Sequence, residues 1–209
     1  MQEGDAFVKI LIKNAHIITP YDILHNFELA VEGNKIKHIV PSGTLGEKEF
    51  DEIIDAKDNY LSPGFIDLHT HANSGHDTMD ASFEAIDAMA RFHIKNGVTG
   101  FLATTRTAST EETKRAIKNV ADYISRQKQN VGTLDTSGSA PAKVLGLYLE
   151  GPYFSMAKKG AQSPKYIKNP DIEELSNFLK LSGDNVKVVA IAPELPGAME
   201  VITYLHTQG

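Results

Sequence analysis

Along the first sixty or so residues, short apolar runs alternate with polar positions, whereas beyond Pro63 nearly unbroken apolar strands alternate with stretches of helical period. The early runs fall at 8–12, 16–19, 27–31, 35–40 and 52–55, with Gly33-Asn34 and Pro41-Ser42-Gly43 among the turns between them. Runs of that length bounded by turn residues predict a small β-module. The later strands are expected at 64–70, 98–104, 144–150 and 186–192, apolar throughout because helices cover both faces of a parallel sheet. A helix over about 82–96 carries Phe83, Ile86, Met89, Ala90 and Ile94 on one stripe, with Gly97 as its stop. Ser109 and Glu112 form a capping box that opens a second helix bearing Ala116, Ile117, Val120, Ala121 and Ile124. Asn169-Pro170 predicts the cap and first residue of a third, bearing Ile172, Leu175, Phe178 and Leu179, and a last helix is expected over about 197–207.

The change of rhythm divides the chain into 1–62, the β-module, and 63–209, an α/β region of four βα units. Four such units make half of an eight-stranded barrel, and an isolated half leaves edge strands and an apolar sheet face open. The chain is therefore expected to be a truncated piece of a longer protein, to fold as an open sheet, or to be completed by a second copy. The segment 131–141, rich in Gly, Ser and Thr, reads as a flexible connection.

Charge and composition narrow the partners. With 21 Lys+Arg against 27 Asp+Glu and a net charge of −6, the chain has no basic stripe for a nucleic-acid backbone. No cysteine is present, so thiolate ligands and disulfides are excluded, leaving imidazole and carboxylate as the strong metal donors. The acidic start Met1–Asp5 and the absence of a long apolar run lead to the expectation of a soluble, cytoplasmic protein with no membrane partner.

Candidate chemistry concentrates at strand ends. In Phe65-Ile66-Asp67-Leu68-His69-Thr70-His71 the two histidines are spaced to lie on one strand face, ~6–7 Å apart at their Cα atoms. A lone His-x-His is commonly an exposed or core pair, but Ser62-Pro63-Gly64 before it and the polar loop 72–77 after it put this pair where a strand meets a loop. Glu150 ends the third strand of the α/β region as His69 and His71 end the first, so in a parallel barrel all three meet at the carboxyl end. His16, His25 and His38 share no ligand geometry and read as surface or strand histidines, and His93 as structural or exposed. Asp67 shares a face with the histidines and reads as a carboxylate that orients a ligand. Lys158, Lys159 and Arg106 are candidate anion contacts or merely solvated, while Asp77 and Asp80 either act in a loop over the site or cap the next turn.

Leu149-Glu150-Gly151-Pro152-Tyr153-Phe154, the later Gly160-Ala161-Gln162, and Pro63 to His71 together resemble the N-acetylglucosamine-6-phosphate deacetylases of the amidohydrolase superfamily. Asp77-Thr78-Met79-Asp80, Gly97-Val98-Thr99, Phe101-Leu102-Ala103-Thr104 and Ala192-Pro193-Glu194 extend the likeness from about residue 10 to the end. The resemblance implies a TIM-type metal-dependent hydrolase barrel, present here as its first half, preceded by a composite β-sandwich. It places metal ligands on His69, His71 and Glu150, with one or two divalent ions (Zn, Fe or Mn), and sugar contacts on Ala161 and Gln162, where many relatives carry His in place of Gln162. It further implies a phosphorylated amino-sugar substrate, hydrolysis of its acetamide in amino-sugar catabolism, and a homodimer for the full-length family. Ala72 and Met156 depart from the family pattern in loops. The family's two later histidine ligands, its catalytic aspartate and further phosphate contacts fall beyond residue 209, so activity of this chain alone is expected to be impaired. The alternatives are another amidohydrolase, which would not need Leu-Glu-Gly-Pro, and a non-catalytic fragment.

Overall fold

The computed structural model describes residues 7–129 and 140–208. The acidic start Met1–Asp5 and all but the last two residues of the connection expected over 131–141 lie outside the described residues. The chain divides between Pro63 and Gly64 into two compact units.

The first unit is one mixed sheet of β1 (Lys9–Ile18), β2 (Ile23–Glu32), β3 (Lys35–Pro41), β4 (Glu52–Asp55) and β5 (Tyr60–Leu61). The order is β3-β2-β1-β4, with β5 also paired to β1. The composite sandwich narrows accordingly: a sandwich needs two sheets, and residues 7–63 form one. The runs at 8–12 and 16–19 fuse into a single strand because Asn14, at φ +54°, and register shifts on either side of Ala15 absorb the irregularity without leaving the sheet. Ala15, Ile17 and Leu29 form its small core. The same irregular register puts His16 against His25, their Nδ1 atoms 3.1 Å apart, with the Tyr60 ring tilted against that of His16 at 5.5 Å between ring centres. Spacing along the chain showed no relation between these two histidines; strand pairing creates it.

The second unit carries β6 (Phe65–Thr70), a short hairpin of β7 (Ala72–Asn73) and β8 (His76–Asp77), then α1 (Phe83–Lys95), β9 (Val98–Thr104), α2 (Thr110–Gln129), β10 (Lys143–Glu150), α3 (Ile172–Ser182), β11 (Val186–Ala190) and α4 (Ala198–Gln208). Its four-stranded sheet runs β11-β10-β9-β6, every pairing parallel. Ile86 and Met89 of α1, Ile117 and Val120 of α2, and Leu175 and Phe178 of α3 pack with Phe101, Leu147 and Leu149 of the strands. Burial of each such side chain contributes about 1.5–3 kcal/mol, which is what seats three helices on the sheet.

Local signals set the helix ends. Ser82 Oγ accepts the Ala85 N–H at 3.1 Å, and the Ser109–Glu112 box closes reciprocally at 3.0 and 3.3 Å between side chain and N–H. The third helix starts later than Asn169-Pro170 suggests: Asp171 is its N-cap and accepts the Glu174 N–H at 2.8 Å. A carboxylate at that position satisfies an orphan donor and meets the positive end of the helix, leaving Pro170 outside. His93 is buried, its ring 4.5 Å from that of Phe101, and burial lowers its pKa below the ordinary imidazole value against a weaker opposing pull from Asp67.

The sheet is open. Strands β6 and β11 are its edges, and Phe65, Ile66 and Leu68 of β6 are 66%, 60% and 60% exposed. Among the described residues no helix is long and apolar enough to cross a membrane.

Candidate metal centre

Parallel pairing of β6, β9 and β10 brings their carboxyl ends together, and His69, His71 and Glu150 stand there. Their donor atoms lie within 4.8 Å of one another. His69 Nε2 touches Glu150 Oε2, and His71 Nε2 is 3.2 Å from the same oxygen. The His69 and His71 rings meet edge-on at 5.0 Å between centres, and the Tyr148 ring of β10 lies tilted 5.0 Å from that of His69.

Threonines at the end of β9 brace this arrangement. Thr104 Oγ1 accepts the Thr70 N–H at 3.1 Å, and the Thr104 carbonyl lies 3.3 Å from His71 Nδ1. Thr105 Oγ1 accepts the Glu150 N–H at 3.2 Å. Both threonines are fully buried. Sequence reasoning passed over them; the signal available was the change from an apolar run to Thr104-Thr105-Arg106-Thr107 at a strand end.

An N–H donated by His71 Nδ1 to the Thr104 carbonyl leaves Nε2 with its lone pair toward Glu150. A lone pair facing a carboxylate oxygen is repulsive unless a proton or a cation stands between them. Two imidazole nitrogens and one carboxylate oxygen, with one ring already oriented from behind, therefore form a donor set that fits a divalent ion of zinc, iron or manganese type.

The loop after β10 completes the surroundings. Gly151, at φ +89°, follows Glu150 directly, and a Cβ there would run into the Thr107 side chain, with the Thr107 Cα 3.1 Å away. Gln162 is half-buried; its Nε2 donates to Glu150 Oε1 at 2.7 Å and its Oε1 accepts the Thr107 N–H at 2.9 Å. Ala161 beside it is exposed. Lys159 Nζ donates to the carbonyls of Gly160 and Gln162 at 3.1 and 3.2 Å, whereas Lys158 is exposed. Asp67 Oδ1 accepts the His69 N–H at 3.0 Å, so its carboxylate braces the backbone of the first histidine. Arg106 pairs with Asp77 at 3.0 Å, and Asp77 and Asp80 form the capping box of the turn Thr78–Asp80.

The root of the same loop is held by a second carboxylate. Glu174 accepts from Lys168 Nζ and Thr110 Oγ1 at 2.6 Å each and from Tyr153 Oη at 2.9 Å. Burial opposes its ionisation, yet these hydrogen bonds and the Lys168 charge hold its carboxyl below the usual range. Burial, then the charge of Glu174, pushes the Tyr153 phenol well above its ordinary value. Tyr153 also ties in the end of β11, its carbonyl accepting the Ala192 N–H at 2.9 Å.

The chain is 32% identical over 203 residues to an N-acetylglucosamine-6-phosphate deacetylase of Lysinibacillus sphaericus, covering 97% of this chain and 49% of that protein. It is 38% identical over 149 residues to the enzyme of the same name from Vibrio furnissii, covering 71% of this chain and 35% of that one. The crystal structure of N-acetylglucosamine-6-phosphate deacetylase from Pasteurella multocida superposes with a TM-score of 0.79 at 30% identity, over 95% of this chain and 48% of that one. The chain thus spans about half the length of the curated relatives it matches, or less. A profile of the Amidohydrolase family matches residues 60–204, from the strand before the histidine pair to the last helix, and with parallel βα units of this order the chain belongs to that family.

Proposed function

We propose that this chain forms part of an enzyme that hydrolyses the acetamide of N-acetylglucosamine 6-phosphate to glucosamine 6-phosphate and acetate, with His69, His71 and Glu150 holding one or two divalent ions. The observation that carries the reading is the convergence of two imidazole Nε2 atoms on a single carboxylate oxygen from separate strands. The names of the relatives supply the substrate. When bound, a divalent ion in such a site polarises an amide carbonyl and acidifies water.

The residues of the chain divide the remaining work. Thr104 orients His71 through its carbonyl, and Asp67 fixes the backbone of His69. Thr105 holds the Glu150 main chain at the strand end. Ala161 and Gln162, on the turn beside Glu150, are the proposed sugar-facing positions. Glu150 Oε1 is occupied by Gln162 and Oε2 by the two histidines, so the departing amine needs a further proton donor, and turnover resting on these three side chains alone is expected to be weak or absent. A homodimer, implied for the full-length relatives, belongs to the same reading.

Acetate release from N-acetylglucosamine 6-phosphate, measured with zinc-, iron- and manganese-loaded chain alongside elemental analysis, tests this. The expected result is one or two bound ions with little acetate. Robust turnover would show that the three donors and their neighbours suffice, and a chain that takes up no divalent ion would remove the reading.

A further inference from the structure

We propose that Gln162 is a positioning residue that fixes the rotation of the Glu150 carboxylate so that one oxygen faces His69 and His71, and that it couples this carboxylate to the β9–α2 junction through Thr107. The inference rests on Glu150 being a metal ligand, as proposed above, and adds how its orientation is set.

The Thr107 main-chain N–H can only donate, so the Gln162 atom 2.9 Å from it must be the carbonyl Oε1. That requirement turns the NH2 end onto Glu150 Oε1 at 2.7 Å. Flipping the amide would set NH2 against N–H and C=O against a carboxylate, losing both bonds at once. A side chain whose two ends are often interchangeable therefore has a single orientation here. The turn is stiffened from behind by Lys159, which donates to the Gln162 carbonyl.

The consequence lies in how the two oxygens of Glu150 are divided. Oε1 is taken by Gln162, which leaves Oε2 as the atom shared by the two Nε2 atoms. A neutral donor achieves this without cancelling the negative charge of the carboxylate, as a lysine or arginine in the same place would. Both ends of the Gln162 amide are thus committed to the geometry of Glu150, and a sugar hydroxyl reaching for either would have to displace one of these bonds. Carboxylates that ligate metals are themselves commonly hydrogen-bonded, and loss of such a partner typically weakens metal affinity about 10–100-fold.

The test is Co2+ affinity, by competition with a chromophoric chelator, together with the visible absorption spectrum of bound Co2+, for the chain, Q162L and E150Q. The expected result is binding by the unaltered chain, near-complete loss in E150Q, and about 10–100-fold weaker binding with an altered spectrum in Q162L, whose metal-free melting temperature falls only modestly for the lost Thr107 bond. Q162L that matches the unaltered chain in affinity and spectrum would overturn the role of Gln162 while leaving Glu150 as ligand. A chain that binds no Co2+ would overturn both. Should Q162L fail to fold, the side-chain NH2 resonances of Gln162 in 15N-labelled unaltered chain decide the matter. Displaced, slowly exchanging resonances that move on Zn2+ addition support the role, and resonances at the free-amide position overturn it.

Discussion

Glu150 and Glu174 are both partly buried carboxylates, each gathering three side-chain partners, yet the partners differ in kind. Around Glu174 stand Lys168, Thr110 and Tyr153, each bringing its own proton, so every contact is a completed hydrogen bond. Around Glu150 stand Gln162, which donates, and two imidazoles, of which His71, its Nδ1 turned to the Thr104 carbonyl, presents an Nε2 lone pair that repels the carboxylate oxygen unless a proton or cation joins them. The first arrangement is a finished structural knot. The second leaves an imidazole lone pair against a carboxylate oxygen, an arrangement that a cation completes. Donor chemistry, more than burial or the number of partners, separates the two.

The sharpest way to break this comparison is to remove each carboxylate in turn. Glu150→Gln should lower divalent-metal affinity by at least about 100-fold with little change in metal-free stability. Glu174→Ala should do the reverse, costing about 2 kcal/mol by leaving the Tyr153 hydroxyl buried and unpaired while metal affinity stays within a few-fold. Denaturant titration and metal competition on both variants check the crossing pattern; equal loss of both properties in either variant would erase the distinction.

A stability effect of similar size is expected at Gly151, where the left-handed φ and the closeness of Thr107 leave no room for a side chain. Gly151→Ala should cost about 1–3 kcal/mol of stability and also weaken metal binding, because the residue it disturbs follows Glu150 directly. Unfolding midpoints and the same metal competition read both. Smallest is the pH response of His93, outside both clusters. Its folded pKa lies below the ordinary 6.5, so as pH falls below that value the unfolded chain takes up a proton that the folded chain refuses. Stability should fall as pH drops through and below about 6.5, and His93→Leu should flatten that part of the profile in urea unfolding.

What could be read in the chain and what could not follows from the range of the forces involved. Strand β9, the capping box at Ser109 and Glu112, and the stop at Gly97 are short-range features, written in adjacent residues, and they stand in the fold. The strand-end placement of His69, His71 and Glu150 was legible too, because parallel pairing aligns like ends. The Gln162–Glu150 bond spans a loop, and the His16–His25 pair depends on an irregular register at Ala15, so neither is visible in spacing alone. Asn169-Pro170 is a good local signal that sets the cap of α3 two residues early, and only the observed dihedrals show that Asp171 outcompetes it.

The most direct measurement is X-ray diffraction from crystals of this chain grown with zinc, collected on both sides of the zinc absorption edge. The account predicts an anomalous peak bonded at about 2.0–2.2 Å to His69 Nε2, His71 Nε2 and an oxygen of Glu150. A map with no peak there, and with the two imidazoles turned away from the carboxylate, would contradict it.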